Sequence, residues 1–363
     1  MRRFCLCLFS LGVVAGATVA SACSTTVAPE PAPVGSVVDA GTLDAQPNDT
    51  AAPEKGGVRV TVSGEDYATL GFDFTPGSAT ANGDPPAFVE GWQVRFSHVI
   101  VTVGNVRLNA DPELDPKAYD KVGPVVESDP SAYAVDLVVG GSVVGKSGSP
   151  NEKTVAITTF PGKRLDPEKA YAFSYDTVAA SANAKLVNLD AGGKDLYAEA
   201  IAKGYAMLYV GMATYKAAPP AAGSVFAKMP SKVAFRLGFK NPTSYVNCRN
   251  TDLKKVSGSY PRGIRTTPED TTTVQITFHT DHTFWNRVDV DGTPLFFDAL
   301  AANASTFGTS GDGLVTTEDL ENVDIGDVRT RTGEVLPQRS AVADHKTSCL
   351  LYTSPSPRDR TRS

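Results

Sequence analysis

Short runs of alternating apolar and polar residues recur through the middle of this 363-residue chain. Successive side chains of a β-strand point to opposite faces, so this alternation predicts strands with one buried face. Clusters of Gly, Pro, Asn and Asp separate the runs and are typical of turns. We predict strands at Val58–Val62, Trp92–Phe96 continuing through Val99–Val103, Tyr133–Val139, Thr154–Thr159, Tyr171–Tyr175, Tyr205–Thr214, Lys232–Phe239 and Thr272–Phe278.

Helical patterning is confined to a few short segments. Lys194–Lys203 is rich in helix formers and is followed by a glycine, which commonly ends a helix. Leu295–Ala301 places apolar residues at helical spacing. Thr317–Glu321 carries acids in its first turn, with Thr316 or Thr317 placed as the N-cap. Many short strands and few helices predict a mainly β protein, an antiparallel β-sandwich with a small helical C-terminal appendage.

The N-terminus has the pattern of an export signal. Met1–Arg3 is basic, Phe4–Ala17 is largely apolar, and small residues follow up to Cys23. This arrangement resembles the bacterial lipoprotein signal, which implies cleavage before Cys23 and attachment of a lipid to its thiol. Ordinary secretion with cleavage near Ala22 remains the alternative. Ser24, rather than Asp, after the cysteine favours the outer membrane, so we expect a protein anchored in the bacterial cell envelope.

Composition changes along the chain and divides it into segments. The stretch after Cys23 is rich in Pro, Ala, Thr and acids, and it lacks the large apolar residues that a packed core needs. The last fifteen or so residues resemble a translated sequencing adaptor, so we expect them to be an artefact and a natural tail to be missing. The expected organisation is a signal peptide at 1–22, a lipidated cysteine and disordered tether at 23–57, a sandwich at 58–290, a helical EF-hand-like segment at 291–348 and the adaptor at 349–363.

Charge and cysteine content narrow the possible partners. The net charge is -6 and the pI about 5.3, which argues against nucleic acid as a partner. Of the five cysteines, Cys5 and Cys7 leave with the signal, Cys23 is the expected lipid site and Cys349 lies in the adaptor segment. Cys248 remains. The cell envelope favours disulfides, so we expect Cys248 to pair with a cysteine in the missing tail, with a reactive thiol as the alternative.

The tetrapeptide His279-Thr-Asp-His282 is the first candidate for a metal site. It contains two of the four histidines in the chain and follows a predicted strand. Imidazole and carboxylate donors suit zinc or copper, so His279, Asp281 and His282 are candidate ligands. His98, which lies on another predicted strand, is a further candidate. The alternative is that these polar residues end a strand or satisfy each other in the core.

A second candidate lies between the two C-terminal helices. With Gly313 as the turn glycine, Ser310, Asp312, Thr316 and Asp319 take ligand positions of a loop that resembles an EF-hand. The loop departs from the family pattern because a glycine takes the first ligand position and an aspartate takes the twelfth. A weak calcium site is therefore one interpretation. A Gly-Asp-Gly turn that leads into a capped helix is the other.

Three segments together resemble a known group of proteins. They are Arg95–Leu108, Gly204–Gly211 and Gln275–His282, followed by the EF-hand-like loop. In this order they are similar to uncharacterised bacterial envelope lipoproteins and, more distantly, to the methanobactin-partner (MbnP-like) copper-binding proteins. The second resemblance implies a β-sandwich with His279 as a copper ligand. Met207 and Met212 are soft donors that suit Cu(I), although methionines in strands are usually core residues.

Enzyme motifs are absent from the mature sequence. It has no Gly-x-Ser-x-Gly elbow, no His-Glu-x-x-His helix and no Cys-x-x-Cys pair. We therefore expect a lipid-anchored, non-catalytic protein that binds copper or zinc at the histidine motif and calcium in the loop. Its expected partners are the membrane, through the lipid, and a metal ion. A structural or adhesive surface module, and a hydrolase with catalytic groups in the missing tail, are the alternatives.

Overall fold

Twelve strands in two sheets form the framework of the described part of the chain. The computed structural model describes residues 55–74, 88, 90–115, 117–146, 152–219, 222, 230–257, 260–284, 295–298, 300–301, 304 and 313–321. The strands are β1 Val58–Ser63, β2 Trp92–Ala110, β3 Val125–Asp136, β4 Val143–Val144, β5 Lys153–Phe160, β6 Tyr171–Thr177, β7 Lys185–Val187, β8 Met207–Tyr215, β9 Lys232–Phe239, β10 Thr243–Tyr245, β11 Thr272–Thr277 and β12 Leu314–Thr316. The signal and adaptor segments lie outside the described residues, and so does the tether up to residue 54.

The smaller sheet has the strand order β11-β1-β5-β4. Its centre is β1, whose three valines are fully buried. β1 runs antiparallel to β5 and parallel to β11, with Val58 opposite Thr272 and Ser63 opposite Thr277. β11 is therefore an edge strand of this sheet. The side of β11 that faces away from β1 can form part of a site.

The larger sheet has the order β10-β6-β2-β8-β9-β12. In addition, β3 pairs with β2, and β7 pairs with β3. The 19-residue strand β2 organises this sheet because three strands pair with it. Its first half pairs with β8 and its second half with β6, both antiparallel, and β3 pairs with the region from Ile100 to Asn109. Bulges interrupt each pairing, for example between Phe96 and His98. Such bulges twist and bend a strand, which lets one long strand serve several partners.

The mainly β architecture predicted from the sequence is confirmed. Most strand pairs are antiparallel, but β1–β11, β3–β7 and β9–β12 are parallel. Parallel neighbours require a crossover connection, so their partners are distant in sequence. Alternation identifies a strand and its buried face but carries no information about such a distant partner.

The described residues of the C-terminal segment belong to the same core as the sheets. Leu295, Phe297 and Leu300 are buried in one cluster with the apolar residues of both sheets. The indole Nε1 of Trp92 donates a hydrogen bond of 2.6 Å to Asp298 Oδ1. The expected domain boundary at residue 290 stays a prediction, and the described residues that follow it share a core with the sheets.

Short helices cover parts of the sheets. They are α1 Glu65–Leu70, α2 Ala191–Lys203 and α3 Thr317–Glu321. α2 begins three residues before the predicted start because Asp190 caps it, accepting a 2.7 Å hydrogen bond from Gly193 N. It ends as predicted at Gly204, which adopts the left-handed conformation with φ of 69°. None of the described helices is both long enough and apolar enough to cross a bilayer.

Ion pairs attach α3 to α2. Lys203 of α2 contacts Glu318 Oε1 at 2.9 Å and Glu199 at 3.0 Å, and the Tyr205 hydroxyl donates to Glu318 at 2.9 Å. Burial alone raises the pKa of Glu318, but hydrogen bonds from Lys203 and Tyr205 outweigh it and lower the pKa to about 2. Glu318 is therefore ionised at neutral pH and holds the two helices together.

Candidate functional site

A cavity of about 730 Å³ opens between the two sheets at the edge formed by β11. All six residues of β11 line it on one side. The larger sheet contributes residues of β6, β8, β9 and β10, and residues 248–253 of the loop after β10 also line the cavity. This volume falls in the range of small-molecule sites in proteins. The cavity is the main candidate site in the described part of the chain.

Aromatic rings form much of the wall on the side of the larger sheet. The rings of Tyr175 and Tyr245 stack with their centroids 4.6 Å apart and their planes 9° apart. Phe173 lies next to Tyr175, with a centroid distance of 5.9 Å. Register explains the stack, since Tyr245 of β10 is paired directly with Tyr175 of β6. The wall therefore offers a flat apolar surface to a ligand.

The loop that follows β10 is fixed to the body by Asn247. This residue is fully buried and has a φ of 53°, a left-handed conformation that asparagine tolerates better than most residues. Its side-chain Nδ2 donates to the backbone oxygens of Pro112 at 2.6 Å and Tyr119 at 2.9 Å. The next backbone N–H, that of Cys248, donates to Phe173 O at 2.8 Å. The start of the loop is therefore held against β6 at the cavity wall.

The tip of the same loop is tied to the smaller sheet by Lys146. Its ammonium group contacts Asp252 Oδ2 at 2.6 Å and donates to Thr273 O at 2.8 Å. The backbone N–H of Lys146 donates to Gln275 Oε1 at 2.7 Å. The Lys146–Asp252 pair is about half exposed, so we expect it to stabilise the closed loop by about 1 kcal/mol or less.

The structure places His279 on the cavity wall, just after β11. His279 Nδ1 lies 3.3 Å from Oε2 of Glu65, the first residue of α1. Asp281 follows in the 3₁₀ turn Thr280–Phe284. Burial raises the pKa of the Tyr209 phenol, a hydrogen bond with Thr283 opposes this rise, and the negative charge of Asp281 adds to it. The side chain of His282 lies outside the described part.

His98 is not one of the residues that line this cavity. It lies on β2 beside the start of α2, where its Nδ1 is 2.6 Å from Asp136 Oδ2. That hydrogen bond raises the pKa of His98, and burial opposes the increase. The predicted grouping of His98 with the His279 motif therefore receives no support from the geometry. Among the described residues, no cluster of three or more His, Cys, Asp or Glu is arranged to hold a metal ion.

The described part of the EF-hand-like loop forms a helix cap. Asp319 Oδ2 accepts hydrogen bonds of 2.9 Å from both N and Oγ1 of Thr316, and Thr316 Oγ1 accepts from Asp319 N at 3.3 Å. This reciprocal arrangement is a capping box with an aspartate in the third position. Ser310 and Asp312, the other predicted calcium ligands, lie outside the described residues.

The two cysteine predictions have different outcomes. Cys23 lies outside the described residues. Cys248 lines the cavity, is half-buried and forms no disulfide with any other residue that the structure describes. Met207 lines the same cavity. The chain thus brings a thiol, a thioether and an imidazole to one cavity.

Sequence patterns did not single out Arg249, Arg265, Tyr175 or Tyr245 as site residues, yet all four line the cavity. The stacked tyrosines had a weak signal, since both lie among aromatic and β-branched residues in strand-like segments. The arginines are in loops and have no distinguishing motif. Comparison of the chain with protein-family models, with curated proteins and with solved structures finds no match.

Proposed function

We propose that this chain is a lipid-anchored protein of the bacterial cell envelope that binds a small organic molecule, without catalysis, in the cavity beside β11. The observation that carries the proposal is the cavity of about 730 Å³ with a stacked tyrosine wall. Aromatic surface combined with a few polar groups is typical of small-molecule sites. The expected lipid at Cys23 and the polar tether would hold this body near a membrane surface.

A neutral fluorescent probe tests the cavity. N-phenyl-1-naphthylamine becomes bright in apolar surroundings, and we expect saturable binding of one molecule per chain. Val274→Trp on β11 adds bulk to the cavity wall and should weaken binding at least tenfold. Val144→Trp is the matched control, because Val144 also lies on an edge strand, is 60% exposed and does not line the cavity.

Two results would contradict small-molecule binding in the cavity. One is the absence of saturable probe binding. The other is unchanged binding in a folded Val274→Trp variant. Either result would favour the alternative of a structural or adhesive surface module.

A metal ion at His279 is a second candidate function, favoured by the approach of its Nδ1 to Glu65 at 3.3 Å on the cavity wall. Asp281 and His282 follow closely in sequence and supply the donor types that zinc and copper prefer. The neutral imidazole of His279 would donate its nitrogen lone pair, and Glu65 would either ligate the ion or orient the ring.

Elemental mass spectrometry after exposure to copper or zinc and desalting tests this candidate. We expect about one equivalent of metal to be retained by the natural sequence and lost in His279→Ala. His98→Ala is the matched control, because His98 is also paired with a carboxylate but does not line the cavity. Equal metal content in all three proteins, or none in any, would exclude a metal site at His279.

A further inference from the structure

The charged residues that line the cavity differ in whether they have partners. The two carboxylates are each paired, Glu65 with His279 at 3.3 Å and Asp252 with Lys146 at 2.6 Å. Arg249 and Arg265 also line the cavity. Among the described residues, neither of these two guanidinium groups takes part in an ion pair. A chain with a net charge of -6 therefore places at this cavity two arginines that have no carboxylate partner among the described residues.

Arg249 is the better positioned of these two groups. It is half-buried and follows directly after Asn247 and Cys248, whose hydrogen bonds fix the start of the loop. Its backbone is bridged to that of Arg262. Arginine remains charged at every physiological pH and has five N–H donors, so it suits a carboxylate, phosphate or sulfonate.

Arg265 is the second arginine that lines the cavity. It is exposed, and its Nη1 donates to Glu168 O at 3.1 Å, which leaves further donors on the guanidinium. Its own backbone oxygen accepts a hydrogen bond from Thr272 Oγ1 at 3.3 Å, so it lies beside the first residue of β11. The last residue of β11, Thr277, lies about 16 Å from Thr272 at the usual strand rise, and His279 comes two residues later. Arg265 and the His279–Glu65 pair therefore lie at opposite ends of this strand.

The arginine end is continuous with the aromatic wall. Cys248, the neighbour of Arg249, is hydrogen-bonded to Phe173. Phe173 packs against Tyr175, which stacks on Tyr245. Arg249 therefore follows a residue that is hydrogen-bonded to the aromatic wall, and it lines the same cavity as that wall. Together they match a ligand with an apolar body and an acidic group.

We infer that the cavity binds an amphipathic organic anion, with its flat or apolar body against the Phe173–Tyr175–Tyr245 wall and its acidic group at Arg249, assisted by Arg265. The inference rests on the proposed function, because it names the class of ligand for the same cavity. The anion replaces the carboxylate partner that Arg249 lacks among the described residues. Recognition then requires an apolar body and an acidic group in the same ligand molecule.

Two fluorescent probes separate the contribution of the acidic group from that of the aromatic body. 1-Anilinonaphthalene-8-sulfonate carries a sulfonate on nearly the same aromatic body as N-phenyl-1-naphthylamine, which is neutral. We expect the folded protein to bind the sulfonate more tightly than the neutral probe. Arg249→Gln should weaken sulfonate binding about tenfold to a hundredfold and change binding of the neutral probe less than twofold. Lys254→Gln, an exposed change in the same loop that does not line the cavity, is the control.

A second variant and a salt titration keep the test decisive if Arg249→Gln is poorly folded. Arg249→Lys should retain part of the preference for the sulfonate, and added sodium chloride should weaken only sulfonate binding. The inference is overturned if Arg249→Gln leaves the ratio of the two affinities unchanged while both probes still bind. Failure of both probes to bind the natural sequence would instead overturn the proposed function itself.

Discussion

At the scale of single residues, Asp136 is a buried carboxylate of the larger sheet whose oxygens accept several hydrogen bonds. It is 1% exposed and accepts hydrogen bonds from His98 at 2.6 Å and from the backbone N–H groups of Val99 and Val138, each at 3.1 Å. Asp190 adds a second negative charge that favours the protonated form of His98.

The His98–Asp136 pair makes stability depend on pH. The pKa of His98 is raised above its ordinary value of 6.5. The charged pair therefore stabilises the fold fully below about pH 6.5, and this contribution is lost as pH rises through the pKa of the folded protein. We expect His98→Gln, which keeps a donor but not the charge, to lower the unfolding free energy by about 1 kcal/mol at pH 6 and by less at pH 9.

Chemical denaturation at both pH values measures this effect. Lys254→Gln provides an exposed control that should leave the pH dependence unchanged. A stability loss in His98→Gln that is the same at pH 6 and pH 9 would show that the histidine does not act through its charge.

At the scale of elements, short helices are fixed by caps and by contacts with strands rather than by their own length. Thr316 and Asp319 cap α3 reciprocally. Thr317 Oγ1 accepts from Gly238 N at 2.6 Å and lies 3.0 Å from Gly238 O, which attaches α3 to β9. A five-residue helix is not stable by itself, so these contacts determine that it forms.

The capping box leads to a prediction about calcium. We expect Thr316→Ala to lower the unfolding free energy by about 1 kcal/mol, the usual cost of losing a threonine cap. Because Thr316 and Asp319 form the cap through hydrogen bonds to each other, the loss should be equal in calcium and in a chelator. Thermal melting of the variant and the natural sequence under both conditions measures it.

The calcium-loop interpretation predicts a different result. Calcium would then raise the melting temperature of the natural sequence, and Asp312→Asn combined with Asp319→Asn would abolish that increase. Observation of both effects would contradict an ion-independent role for Asp319.

At the scale of the whole molecule, one core contains residues from both sheets and from the C-terminal segment. Phe297 is fully buried, and its ring centroid lies 5.2 Å from that of Trp92 and 5.8 Å from that of Phe235. Glu90 Oε2 accepts from the backbone N–H groups of Phe297 at 2.8 Å and Asp298 at 2.9 Å. Residues more than 200 positions apart therefore fold together.

We predict that Phe297→Ala destabilises the entire body. Loss of a buried phenylalanine typically costs about 3–5 kcal/mol. Urea unfolding followed by tryptophan fluorescence should show a single transition at a lower urea concentration. Val144→Ala, at a 60% exposed position, is a control that should have little effect. A separate transition for the C-terminal segment, with the main transition unchanged, would restore the interpretation of an independent appendage.

Local signals predicted the main elements well. Alternation located β1, β9 and β11 to within a residue or two, and the glycine signal located the end of α2. The start of α2 was placed too late because two glycines, which are poor helix formers, follow its aspartate cap. Strands of two or three residues, such as β4 and β12, were missed because so few residues cannot show a period.

The sequence by itself determined that the described body is mainly β, since side-chain alternation is a local property that any strand with one buried face must show. The tertiary structure decided which strands are neighbours and where the cavity lies. His279 meets Glu65 because β11 returns to pair with β1, and Lys146 meets Asp252 because the loop after β10 packs against the smaller sheet. Contacts between residues so far apart depend on the whole chain's packing, which no local pattern records.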